Sequence, residues 1–265
     1  MLIFKRLALL ICTFYSFQSV LSQSNTFHEL GVIVGPIQFR SDYGERDNNK
    51  TNSGNSGFGV GLIHYFNFSY NPSRSDFKRY FNDHFKIRNE VSYNRTNLEH
   101  LGRWVEASKT SDDANRLRGH KGVAKNIDIG SQLEFYPLSL RDFQRYSPRI
   151  APFISIGIHY GYFEPKVSTT YANADPAAIG DVFDSSNFYS GWDPGSVDAT
   201  AGNTFSMVSS IGMRYKLDDH SDLMLDFRGQ YYFSDWVDGL NHQLESNKNN
   251  DWLIWLSIGY VYSFD

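Results

Sequence analysis

The chain of 265 residues has one cysteine, Cys12, so disulfides have no part in holding it together. It has no excess of positive charge either: 25 Lys and Arg stand against 29 Asp and Glu, a net charge of −4. Nucleic-acid binding, which leaves a basic footprint, is not expected. Beyond residue 23 no apolar run is long enough to cross a bilayer as a helix. No His or Cys spacing suits a metal. Gly57, Gly59 and Gly61 lack the third glycine and the following helix of a dinucleotide fingerprint. No cofactor is therefore expected. What is plentiful is aromatic: 21 Phe, 17 Tyr and 5 Trp. They sit in a chain whose mean hydropathy is only −0.43, and that combination needs an explanation.

Residues 1–22 read as a signal peptide. Lys5 and Arg6 precede an apolar run at 7–21, and small or polar residues follow, with cleavage expected after Ser22. Thr13, Ser16, Gln18 and Ser19 break the run, which speaks against a membrane anchor. Cys12 lies inside the run, too early for a lipidation site. Residues 23–265 are then one exported domain.

That domain alternates with period two along most of its length, which is the signature of half-buried strands. Eight strands are expected, at 27–39, 57–69, 85–98, 123–136, 150–163, 204–217, 222–234 and 252–264. One face of each is apolar, as in Ile154, Ile156, Ile158, Tyr160 and Tyr162. The other is small or charged, as in Ser155, Gly157, His159 and Gly161. A soluble barrel would turn the apolar face inward. Rows of Phe, Tyr and Trp from eight strands would overfill so narrow an interior. The polar face suits a hydrogen-bonded lumen instead. Aromatics also gather at strand ends with aliphatics between, as in Trp252, Ile254, Leu256, Ile258, Tyr260, Tyr262 and Phe264. That banding matches an apolar belt with aromatic girdles. The expected fold is all-β, an eight-stranded antiparallel transmembrane β-barrel of the outer-membrane type. Both termini would be periplasmic, with long outer loops at 41–56, 99–122, 165–203 and 235–250. Turns at 70–84, 137–149 and 218–221 would face the periplasm, and the barrel would contact outer-membrane lipid.

Inward-facing charges are expected to pair, because an isolated buried charge is costly. The set is Arg88, Arg214, Lys216 and Arg228 against Glu90, Asp128, Glu134 and Asp226. A salt-bridged plug is the simplest outcome, and a proton or ion path is the alternative. His159 and Ser155 lie one inward step apart and raise a hydrolase as a further alternative, but no acidic partner is evident. The loop at 165–203 carries Asp175, Asp181, Asp184, Asp193 and Asp198. It reads as a solvated surface, or as a site for calcium or a protein partner.

Two periplasmic turns are unusually long, and both hold an Asp-Phe-x-Arg-Tyr pattern. One is Asp76-Phe77-Lys78-Arg79-Tyr80 and the other Asp142-Phe143-Gln144-Arg145-Tyr146. Phe77, Arg79, Tyr80, Phe143, Arg145 and Tyr146 are candidate docking residues for a periplasmic protein, since Tyr and Arg are enriched at interfaces. The other reading is an interfacial turn whose aromatics dip into lipid while the basic side chains snorkel.

The run Ser147-Pro148-Arg149-Ile150-Ala151-Pro152-Phe153, continuing to Phe163-Glu164-Pro165-Lys166, resembles the fifth-strand region of PorG-like barrels. Met213-Arg214-Tyr215-Lys216-Leu217-Asp218-Asp219 and the stretch from Tyr231 to Asp238 resemble the same family. The segments at 28–35 and 132–136 add to the likeness. The resemblance implies a non-enzymatic outer-membrane accessory of the type IX secretion and gliding apparatus, in contact with its periplasmic ring. The alternative is a stand-alone structural or surface-binding barrel of the small OmpA/OmpX type.

Overall fold

In the computed structural model nine strands make up about half of the described residues. The described residues are 27–68, 75–172, 174, 175, 177 and 179–264. The signal-peptide segment lies outside them, as does Arg74. The strands are β1 (Phe27–Arg40), β2 (Ser56–Asn67), β3 (Phe85–Glu99), β4 (His120–Phe135), β5 (Ile150–Phe163), β6 (Lys166–Thr169), β7 (Gly202–Lys216), β8 (Ser221–Tyr232) and β9 (Trp252–Phe264). Leaving β6 aside, sequential strands pair antiparallel, β5 with β7 among them, and β1 pairs with both β2 and β9. Eight strands thus close into a barrel in which each pairs with a neighbour on both sides, and β6 is an added short strand beside β4. Closure matters because an open edge would leave backbone N–H and C=O groups unpaired.

β6 was not expected. Glu164 and Pro165 interrupt β5, and the chain then pairs again, Lys166–Thr169 against His120–Val123 of β4. β4 accordingly begins three residues earlier than the alternation suggests. Short helices occupy the longer connections: Asp76–His84, Asp112–Gly119 and Leu140–Gln144. The Ser111 hydroxyl caps the second of these by accepting from the Ala114 N–H at 3.3 Å.

Burial alternates along every long strand in the sense read from the sequence. Leu62 is 64% exposed and Ile158 is 61% exposed, whereas Ile33, Arg88 and Arg214 are fully buried. The apolar row therefore faces out. The lumen is less polar than the sequence suggests. Trp255, Tyr65, Tyr136, Phe153 and Tyr232 are also buried inside the barrel. Glycines make room for these rings. A Cβ on Gly59 would lie 2.8 Å from the Trp255 ring, and one on Gly212 would lie 2.5 Å from Phe153.

The outward belt has a polar interruption. His64, Asn89 and Ser131 stand directly opposite one another across β2, β3 and β4. They bond among themselves: Ser131 donates to Asn89 at 2.7 Å, Asn89 approaches His64 at 3.5 Å, and His64 meets His28 at 2.9 Å. Single-strand patterns show three skipped apolar positions. Only the register shows that they form one hydrogen-bonded row.

Candidate functional site

Three zones carry the polar chemistry: the lumen, the cap over the long-loop end, and the turn end.

In the lumen β3 and β8 bring Arg88, Glu90, Asp226 and Arg228 together. Arg228 grips Glu90 with two bonds of 2.6 Å. Arg88 reaches Glu90 at 2.8 Å, Asp226 at 2.9 Å and Glu134 at 3.3 Å. The paired, planar geometry suits guanidinium–carboxylate contacts, which are strong when desolvated. Arg228 also lies 4.9 Å from the centre of the Trp255 ring. Arg214 belongs to a second cluster near the turn end, with Glu29 at 2.7 Å and Asp222 at 2.6 Å. Lys86 joins it through Glu29 at 2.7 Å, and Lys216 through Asp222 at 3.4 Å. Glu29, Lys86 and Asp222 were absent from the sequence-based set, although Glu29 and Lys86 alternate with outward apolar residues.

Asp128 departs from the expected network. It opposes Ser92, four residues along β4 from the Gln132 that opposes Arg88. That is about 13 Å along a strand. It accepts instead from Gln230 at 2.9 Å and Tyr232 at 3.3 Å. Ser155 and His159 do not form a nucleophile–base pair. Ser155 donates to the Gln132 carbonyl at 2.9 Å, and the Gln132 amide sits 3.3 Å from His159 Nε2. The glutamine occupies the space between them.

At the other end the long loops fold down as a cap. Arg46 reaches Asp42 at 2.7 Å, Asp235 at 3.2 Å and Asp251 at 3.6 Å. The Asp42 N–H donates to Asp238 at 2.9 Å, and the His242 N–H donates to Asp42 at 3.1 Å. These contacts join loops about 200 positions apart in sequence. Tyr43 stacks on His100 and His120, with centroids 5.1 and 5.2 Å away, and Trp192 stacks on His242 at 5.4 Å. A cavity of about 140 Å³ lies beside them, lined by Trp104, Trp192, His100 and His242 among others.

Burial, followed by the neighbouring Asp238 and Asp235, pushes the Asp42 carboxyl up to about 9. Burial raises Asp238 to about 7 and Asp235 to about 6. Burial lowers His242 to about 4, so its ring is neutral near neutral pH. Acids raised above their unfolded values stabilise the fold most at low pH and lose that contribution as pH rises. From about pH 4, where these carboxyls ionise in the unfolded chain, to about pH 9 the cap should therefore loosen. The amides of Asp42, Leu240 and His242 should lose exchange protection over that range, after correction for intrinsic rates. Constant protection would refute this.

The acidic loop turns out to be built from local turns. Asp175, Asp181, Asp184 and Asp198 each accept the backbone N–H two residues on. This is Asx-turn chemistry. Among the described residues no acid or His group is arranged to hold a metal ion.

At the turn end the two similar motifs part company. Phe77 is 77% exposed and Tyr80 52% exposed, whereas Phe143 is 1% exposed. The helix Asp76–His84 sets Phe77, Tyr80, Phe81 and His84 on one side, at the i, i+3, i+4, i+7 spacing. Phe81 stacks on Phe85 at 4.8 Å, and Phe85 meets Phe135 at 5.1 Å, which ties the helix to the outward aromatic row. Arg79 pairs with Asp76 on the exposed side at 2.6 Å. Phe143 instead turns into the end of the barrel, 5.7 Å from Lys216 Nζ. It cannot be a surface docking residue as it stands. Arg145 is exposed, and Tyr146 is half-buried, with Arg149 lying 5.5 Å from its ring centre.

No family model and no curated protein matches the chain. Among solved structures, a major outer membrane protein from Thermus thermophilus is similar at 12% identity, with a TM-score of 0.47 over 91% of this chain and 100% of that one. Neisserial surface protein A gives 12% identity and a TM-score of 0.44, over 89% of this chain and 97% of its own. The attachment invasion locus protein of Yersinia pestis gives 9% and 0.41, over 91% of this chain and 100% of its own. Scores this low lend no weight to a shared activity, and the fold rests on the strand pairing described above.

Proposed function

We propose that the chain is a non-enzymatic outer-membrane barrel with a shut lumen, and that the cap of long loops is its working surface. This is a stand-alone structural or surface-binding barrel. The observation that carries the reading is the outward belt, with Leu30, Val32, Leu62, Ile129, Ile156, Ile158, Leu225 and Ile258 all exposed. Water would penalise so continuous an apolar surface, and hydrocarbon would not. A closed barrel also satisfies every strand within itself, as a lipid-spanning sheet must. Ion pairs and rings pack the interior, so no stable conductance is expected from the purified barrel in a planar bilayer. Fractionation with soluble periplasmic proteins would defeat the membrane reading.

We infer that the long loops face the cell exterior and that the opposite turns, with both termini, face the periplasm. A cysteine replacing Asn115 should then react with an impermeant maleimide in intact cells. One replacing Arg79 should react only after lysis, and the opposite pattern would invert the orientation.

A second reading makes the barrel an accessory of a type IX secretion apparatus, docked to a periplasmic ring protein. It is supported by the exposed Phe77, Arg79 and Tyr80. A photo-crosslinker at position 77 should capture that protein, and one at the buried position 143 should not. Lipid adducts alone at position 77 would leave the docking reading without support.

A further inference from the structure

A cleft of about 490 Å³ opens in the outward wall of β7, β8 and β9, near the long-loop end. It is large beside the roughly 30 Å³ that a water molecule occupies in the liquid. Its floor is a gap in the apolar belt. Ser209 on β7 stands opposite Gly229 on β8, so two adjacent outward positions carry almost no side chain. Large residues border the gap on all sides. Ile156 opposes Ser209, and Ile254 opposes Gly229. Met207, Tyr231 and Trp252 form the next row toward the loops. A Cβ added at Gly229 would meet only Ser209 Oγ, at 3.9 Å. The notch is therefore open space and is not filled by the neighbouring strands.

The loop end of the cleft is polar. Asp47 and Asn249 line it and are exposed, and the Asn250 carbonyl is held in place by Arg46 Nη1 at 2.8 Å. One end of the cleft is thus apolar and continuous with the lipid-facing belt, and the other offers hydrogen-bonding groups. We propose that this cleft is a binding site for one membrane phospholipid, with an acyl chain in the Ser209–Gly229 notch and its headgroup against Asp47 and Asn249. Large side chains elsewhere in the belt leave lipid tails to slide over a filled surface. Here a chain is bordered by Met207 and Tyr231 on the loop side and by Ile156 and Ile254 on the flanking strands, so it is held rather than merely adjacent. This rests on the membrane reading given above.

The test uses the full barrel purified in detergent and titrated with palmitoyl-oleoyl phosphatidylethanolamine, followed by native mass spectrometry. The wild type should bind one lipid at low ratio. A Ser209→Leu/Gly229→Leu variant, which fills the notch, should bind it roughly tenfold more weakly, the effect expected from displacing about two buried methylenes. Glycerophosphoethanolamine, which has the headgroup without chains, should not bind. Wild type without a defined adduct, equal binding by both proteins, or a protein dimer in place of a lipid adduct would each overturn the proposal. Membrane fractionation and heat-dependent gel mobility of both proteins separate the two readings. A barrel that inserts yet binds no lipid in the cleft refutes the site alone.

Discussion

Replacing Glu90 by alanine should destabilise the barrel by about 3–5 kcal/mol, because it leaves buried guanidinium groups without their main partner. Glu90 takes both bonds of Arg228 at 2.6 Å and lies in ion-pair contact with Arg88 at 2.8 Å, all within a buried cluster. Asp226 and Glu134 would then face two cations that three carboxylates had shared. Removing the Arg228 charge as well, as Glu90→Leu/Arg228→Leu, should restore most of the loss. Whole buried pairs replaced by apolar residues are often neutral. Urea unfolding in phospholipid vesicles would read both variants. Trp255, 4.9 Å from Arg228, provides a fluorescent probe of this part of the lumen. An unchanged midpoint for Glu90→Ala would show that the cluster does not contribute to the stability of the barrel.

The second large effect lies on the opposite face. Ile258→Arg should cost about 2–4 kcal/mol if its position falls near the bilayer midplane. Ile258 is central in β9 and 56% exposed, between Val34 of β1 and Leu225 of β8. In a water-soluble barrel the same exposed site would accept arginine at little cost, because surface substitutions are usually within about 0.5 kcal/mol. The mutation therefore distinguishes lipid from water as the surroundings of the belt. Folding yield into vesicles and the unfolding midpoint should both fall. A barrel that refolds as well as wild type would argue that the belt does not face lipid.

These two sites differ in how visible they are in the sequence. The face of Ile258 follows from a period of two along a single strand, which is a local property of the chain. The partners of Glu90 are not local. Arg228 lies 138 positions away, and it meets Glu90 only because closure brings β3 and β8 to face each other across the lumen. The alternation places both side chains inward without saying which charge meets which. It places Asp128 inward as well, but the register sets that residue four positions along β4 from the level of Arg88. The large lumen rings escape notice for a related reason. Trp255 reads as a break in a polar row until Gly59, on another strand, is seen to leave it space.

The two Asp-Phe-x-Arg-Tyr turns show the same limit. Identical spacing leads to an exposed Phe77 on a nine-residue helix and a buried Phe143 on a five-residue one. Phe143 is drawn inward by the barrel end around Lys216, and no neighbour in sequence announces that. The acidic loop is ambiguous in one dimension, where an aspartate that builds a turn and one that binds a ligand look alike. Side-chain period and turn composition are local, so the order of residues alone sets the number of staves, the apolar face of each, and the placing of long and short connections. Which charges pair, which aromatics are hidden, and where Ser209 and Gly229 meet to open the belt all wait on the folded barrel. Those features depend on register and closure, which bring distant residues together.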